Sequence, residues 1–189
     1  MTRRWGETPS QTVGPFHAIA LRGTRWPFVV PEGTPGAVWL RGKVLDGAGE
    51  TIPDAVIETW QADPGGRFDH ADDPRGAQAP EVAGFRGFGR SETLDGEYAI
   101  HTLKPGRVPD GEGGLQAPHV DVSVFARGVL DHLVTRIYFG DEEAANAEDP
   151  VLNQLKPEQR ETLVATPAAD GYRLDIVLQG DRETVFFRV

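Results

Sequence analysis

Residues 117–128 read "APHVDVSVFARG" and gather three groups with chemical potential into one short run: His119, Asp121 and Arg127. Val120, Val122 and Val124 alternate with polar neighbours, the pattern of a β-strand, on which residues two apart share a face. His119, Asp121, Ser123, Phe125 and Arg127 then lie on one side and the valines on the other. An imidazole beside a carboxylate could be half of a metal clasp, or a polar rim with no metal. A solvated outer face with one buried aromatic is the plainest alternative. A row of His, Asp, Ser, Phe and Arg also suits a cleft or a partner surface.

Other chemistry is sparse. Most catalytic metal centres take at least three protein ligands. His17, His70, His101 and His132 show no ligand spacing such as H-x-x-x-H. The "DHADD" run (69–73) lacks the glycine and glutamate of an EF-hand loop and reads as a solvated acidic loop. There is no G-x-S-x-G, and Ser10, Ser91 and Ser123 have no partner that marks a triad. Gly65-Gly66 lacks the strand–loop–helix setting of a phosphate cradle, and Tyr98 and Tyr138 sit inside strand patterns, as core or rim residues do. The residues alone assemble no complete catalytic set.

The elements that must position these groups are mostly strands. Gly and Pro make up a fifth of the 189 residues and are scattered, which predicts many turns and few long helices. Alternating segments at 38–45, 55–61, 96–103, 119–126, 134–139, 172–179 and 184–189 predict an antiparallel β-sandwich. Asp46-Gly47 and Ala48-Gly49 mark a turn between the first two segments. Residues 1–36 read as an extended arm on a single domain whose sandwich spans 37–189, and 62–90 read as a long loop. Short helices are expected only in "GDEEAANAEDPVLNQL" and "PEQRETLVA".

The absence of cysteine removes disulfides, thiolate metal sites and cysteine nucleophiles. A net charge of −10 disfavours nucleic acid or an anionic membrane as partner, so an anionic substrate would need a local arginine. The N-terminus has no apolar signal region, and no apolar run is long enough to span a bilayer. A cytoplasmic protein is expected.

Five stretches, in order, carry a resemblance: "ETPSQTVGPF" (7–16), "LRGKVLDGAGETIPDAVIETWQAD" (40–63), "GRSETLDGEYAIHTLKPG" (89–106), "APHVDVSVFARG" (117–128) and "YRLDIVLQGDRETVFF" (172–187). Together they resemble the intradiol ring-cleaving dioxygenases, whose fold is a β-sandwich with flanking loops and small helices. In that family two tyrosines and two histidines hold a non-haem Fe(III); one tyrosine follows K-P-G, and the histidines form H-x-H on the next strand. Here "KPGRVP" places Val108 at the tyrosine position, and the H-x-H position reads His119-Val120-Asp121. Residues 69–80, where the other tyrosine belongs, contain none.

The resemblance therefore implies a chain that binds no iron and supplies no catalytic group. Its implied partner is a homologous beta subunit that carries the iron, in an obligate hetero-oligomer of alpha–beta pairs. The implied substrates are protocatechuate and O2, in aromatic catabolism. Thr12, Gly14 and Pro15 would form part of the site wall, Arg127 would help hold the substrate, and Phe16 could pack on its ring. The carboxylate of protocatechuate suits an Arg fork on physical grounds as well. A homomeric intradiol enzyme would lack its ligands. A transthyretin-like β-sandwich binding module fits "GKVLDGAGETIPDAVIETW", but it would not need the arm, the KPG turn and "FARG" together.

Overall fold

The computed structural model describes residues 9–23, 26–73, 75 and 81–188. Strands β1 (Val38–Gly42), β3 (Val56–Trp60), β4 (Phe88–Glu92), β5 (Tyr98–Thr102), β8 (His119–Phe125), β9 (Leu133–Phe139), β10 (Val164–Ala168) and β11 (Gly171–Arg173) form one sheet in the order β4-β3-β8-β9-β10-β11-β1-β5. Two short ribbons complete the set: β2 (Val44–Leu45) with β12 (Ile176–Val177), and β6 (Val108–Pro109) with β7 (Leu115–Gln116). The sheet curls until its outer strands face each other, and Ser91 Oγ accepts the Ala99 N–H across the seam at 2.9 Å.

The expected sandwich is thus present, but it is not purely antiparallel. β1 runs parallel to β11 and β9 parallel to β10. The predicted turn at 46–49 forms, with Asp46 Oδ1 accepting the N–H groups of Ala48 and Glu50. It does not join β1 to β3 as a hairpin, because β1 pairs with β5 and β11 instead.

Two strands escape the sequence pattern. In β4, Gly89 and Ser91 face inward, so the buried face carries no apolar signal; β10 contains Pro167, which reads as a strand breaker. The described part of the "TVFFRV" segment forms a single bridge, Phe187 to Val134, rather than a strand.

The arm also departs from an extended reading. Pro15–Leu21 form helix α1, because Pro15 is pre-set for the first turn and the remaining residues all tolerate helix. Further on, Val29 and Val30 are fully buried in the core, and Val29 N–H donates to His101 O. The arm is therefore stitched into the sandwich before residue 36, and its first eight residues lie outside the described set. Helices α2 (Glu143–Glu148) and α3 (Pro157–Glu161), with a 3-10 turn at Leu152–Gln154, fall in the two segments predicted helical.

The core gathers Val29, Leu40, Ile57, Tyr98, Ile100, Val120, Val122, Val124, Ile137 and Phe139. Each of the three β8 valines is essentially fully buried, which stabilises by roughly 1.5–3 kcal/mol apiece. A smaller cluster of Ala117, Tyr138, Ala145, Leu152 and Leu163 packs beneath the helices. The KPG turn is fixed by contact: a Cβ on Gly106 would lie 2.4 Å from Pro64 O, and one on Gly66, at φ 74°, 2.0 Å from Arg107 O. Those two glycines let the chain pass close enough to set β6, and with it Val108, beside β7.

Candidate functional site

The singled-out groups lie along β8 or beside its two ends, and those ends differ. At the N-terminal end, the register sets His119 opposite Tyr138 and Asp121 opposite Arg136 on β9. Arg136 Nε donates to Asp121 Oδ1 at 2.9 Å, and its Nη1 donates to Gln116 Oε1 at 2.7 Å. The Tyr138 hydroxyl lies 3.4 Å from Arg136 Nη1 and donates to Asp149 Oδ1 at 3.2 Å. Asp149, fully buried, also accepts the backbone N–H groups of Ala117, Val151 and Leu152 at 2.7–2.9 Å. His119 is buried, and its Nδ1–H donates to Ala117 O at 2.8 Å.

Electrostatics follow this enclosure. Burial, and then the Arg136 charge, hold His119 below its ordinary value of 6.5. Burial pushes the Tyr138 phenol up. For Arg136 burial is the largest influence and pulls down, but the Asp121 charge and the contacts with Tyr138 together outweigh it and the guanidinium stays above its ordinary value. His119 and Asp121 are 3.9 Å apart, so Asp121 pairs with Arg136 rather than with the imidazole.

This donor set does not fit a ferric ion. Val108 is buried and has nothing to donate. The positive charge facing Asp121 and Tyr138 is already supplied by Arg136. Among the described residues no group of three or more His, Cys, Asp or Glu is placed to hold a metal. The 69–80 loop is described only in part; residues 74 and 76–80 lie outside the described set. Its Asp73 is buried rather than solvated, accepting from Arg75 and the Phe68 N–H, which corrects the reading of "DHADD" as a wholly wet loop.

The C-terminal end of β8 is open. Arg127 has a side chain 56% exposed, and its Nε and Nη2 donate to the two carboxylate oxygens of Asp54 at 2.8 and 2.7 Å. That contact holds the guanidinium above its ordinary value, by the hydrogen bond first and the Asp54 charge second. Gly128 N–H donates to Thr12 Oγ1 at 2.7 Å, so the arm lies on the "FARG" turn. His17 of α1 packs on Phe125 with ring centroids 5.5 Å apart, and His132 stacks on the other side at 5.5 Å. Gly14 caps α1 and Pro15 opens it, leaving Phe16 79% exposed.

Thr12, Gly14, Pro15 and Arg127 are thus brought to one end of β8, apart from Val108, His119 and Asp121. Sequence reasoning missed Asp54 and Arg136. Arg136 is the cross-strand partner of Asp121, which a strand register would have revealed, and Asp54 sits in the turn before β3, facing the turn after β8. A groove of about 900 Å³ is lined by segments such as 45–49 and 158–162 and includes none of these groups.

Comparison with known proteins fixes the class. A family described as Dioxygenase (Dioxygenase_C) matches residues 29–180. The dioxygenase domain of a dioxygenase–carbohydrate-binding fusion from Streptomyces sp. SirexAA-E shares the fold: TM-score 0.57, 23% identity, covering 94% of this chain and all of that one. The chain belongs to the intradiol dioxygenase family, whose members are non-haem iron enzymes.

Within the family it is 43% identical to the protocatechuate 3,4-dioxygenase alpha chain of Pseudomonas putida, covering 96% of each chain. The beta chain of the Burkholderia cepacia enzyme is 33% identical over 150 residues, 74% of this chain and 63% of that one. The transthyretin-like alternative gives way to this family. No helix among the described residues is long and apolar enough to cross a membrane.

Proposed function

We propose that this chain is the iron-free half of a two-chain intradiol dioxygenase acting on protocatechuate, with a homologous beta chain holding the Fe(III). The reaction inserts both atoms of O2 into the ring bond between the two hydroxylated carbons and yields 3-carboxy-cis,cis-muconate. The partner's iron supplies that chemistry. This chain binds and orients. Arg127 donates to the substrate carboxylate through the part of its fork that Asp54 leaves open, while Thr12, Gly14 and Pro15 wall the site and keep water out.

The observation that carries this reading is the Thr12–Gly128 hydrogen bond, which sets the arm beside a half-exposed arginine. Likeness to both an alpha and a beta chain supports the pairing. So do Phe16, Ile19 and Leu130, large apolar side chains 79%, 55% and 62% exposed on α1 and on the turn that Thr12 touches.

Expression with and without the beta chain tests the proposal. The chain alone should be colourless, free of stoichiometric iron and poorly soluble, and the pair should carry iron and tyrosinate charge-transfer absorption. A coloured, iron-loaded protein made without the beta chain would refute it.

A further inference from the structure

The Arg127–Asp54 pair is unbalanced in its surroundings. The Asp54 side chain is 3% exposed and that of Arg127 56% exposed. A carboxylate taken out of water costs free energy unless it is paired, and an ion pair with an exposed arginine returns little of it. No other side-chain hydrogen bond to Asp54 appears among the described residues, so its carboxylate is committed to one guanidinium. What the arrangement secures is direction rather than stability.

The backbone supports that view. β3 and β8 pair with Val56 opposite Phe125. Two residues beyond this last rung, Asp54 and Arg127 each sit in a turn that follows directly from the end of the β3–β8 ladder, which brings the two turns together. The adjoining Gly128 is held from the other side by Thr12. With Nε and Nη2 engaged on Asp54, Nη1 has no protein partner among the described residues and faces away from the carboxylate that holds the fork.

Resting on the reading that Arg127 receives the substrate carboxylate, we infer that Asp54 is a positioning residue for substrate binding. Its buried carboxylate locks the Arg127 fork in the plane that presents Nη1 to the anionic group of the substrate. Because the pair is neutral as a unit, recognition comes from aimed hydrogen bonds more than from net charge. Selectivity for a carboxylated catechol over an uncarboxylated one then depends on Asp54, a residue the substrate does not touch.

The test uses the assembled alpha–beta enzyme, with kcat and KM measured on protocatechuate and on catechol, which lacks the carboxylate. Asp54→Asn should lower the protocatechuate-to-catechol ratio of kcat/KM by about tenfold, the scale of one charge-assisted hydrogen bond, with the loss in KM rather than kcat. Residues acting as one unit are not additive, so Asp54→Asn with Arg127→Ala should match Arg127→Ala alone within about twofold.

Tighter protocatechuate binding in Asp54→Asn would show that Asp54 merely quenches the arginine, and additive losses would show two separate effects; either overturns the inference while leaving Arg127 in its role. An unchanged ratio in Arg127→Ala removes that role, and the inference with it. Should Asp54→Asn not assemble, Arg127→Lys decides, since lysine keeps the charge without the fork. A loss like that of Arg127→Ala upholds positioning, and wild-type selectivity refutes it.

Discussion

The run from β8 into the turn that follows it carries two Arg–Asp pairs with opposite fates. At the start of β8, Asp121 meets Arg136 from β9; six residues on, Arg127 meets Asp54 from the approach to β3. Both pairs are at close hydrogen-bond distance, the first across a strand ladder and the second between two turns. The first is largely covered, its Arg136 side chain 21% and its Asp121 side chain 36% exposed, and every member of its network is tied to another: Gln116, Tyr138, Asp149 and three backbone N–H groups. The second leaves half an arginine in the open. The difference teaches that the same pair chemistry can seal a site or present one, according to which partner lies at the surface.

The largest effect should come from opening the sealed end. Asp149→Ala strands buried donors that now have a partner and should cost about 3–5 kcal/mol of stability, read from the denaturation midpoint. If that variant kept its stability and lost substrate selectivity instead, the contrast between the two ends would collapse.

A smaller effect is expected at the open end. Thr12→Val removes the acceptor for Gly128 N–H, and KM for protocatechuate should rise roughly two- to tenfold with little change in melting temperature. A change in melting temperature without a change in KM would make the arm contact structural.

The smallest effect is pH dependence at the sealed end. The folded chain holds His119 below its ordinary 6.5, so the unfolded chain takes up that proton first. Stability is then full above about pH 6.5 and falls as pH drops through the folded value. His119→Gln should flatten the melting profile in this window; an unchanged profile would show that the imidazole titrates freely.

Much of this was legible in the chain. The alternating valines of β8 fixed its faces, and the "FARG" and "TVGPF" stretches pointed to the open end through their resemblance. The helix in the arm was not legible, because prolines and glycines around Pro15–Leu21 read as irregular chain. β4 was hidden by its small inward residues and β10 by its proline. Asp54 and Arg136 were hidden for a different reason: Arg136 depends on which residue lies across a ladder and Asp54 on which turn lies beside it, and one sequence states neither the register nor the pairing of β3 with β8. Resemblance located the degenerate ligands, but it could not say that Arg136 had taken up the charge between them.

The sheet order has a consequence for how the chain is made. β1 and β5 reach β9 only through β10 and β11, residues 164–173. Until those residues leave the ribosome, β1-β5 and β4-β3-β8-β9 share no ladder and are bridged by residues 26–29, where Arg90 N–H donates to Trp26 O and Val29 N–H to His101 O. Closure joins residues more than a hundred positions apart, as Trp39 with Gly171, a topology that folds slowly. The arm and the "FARG" turn are synthesised well before that closure, and the apolar side chains of Phe16, Ile19 and Leu130 beside them are still exposed once it is complete.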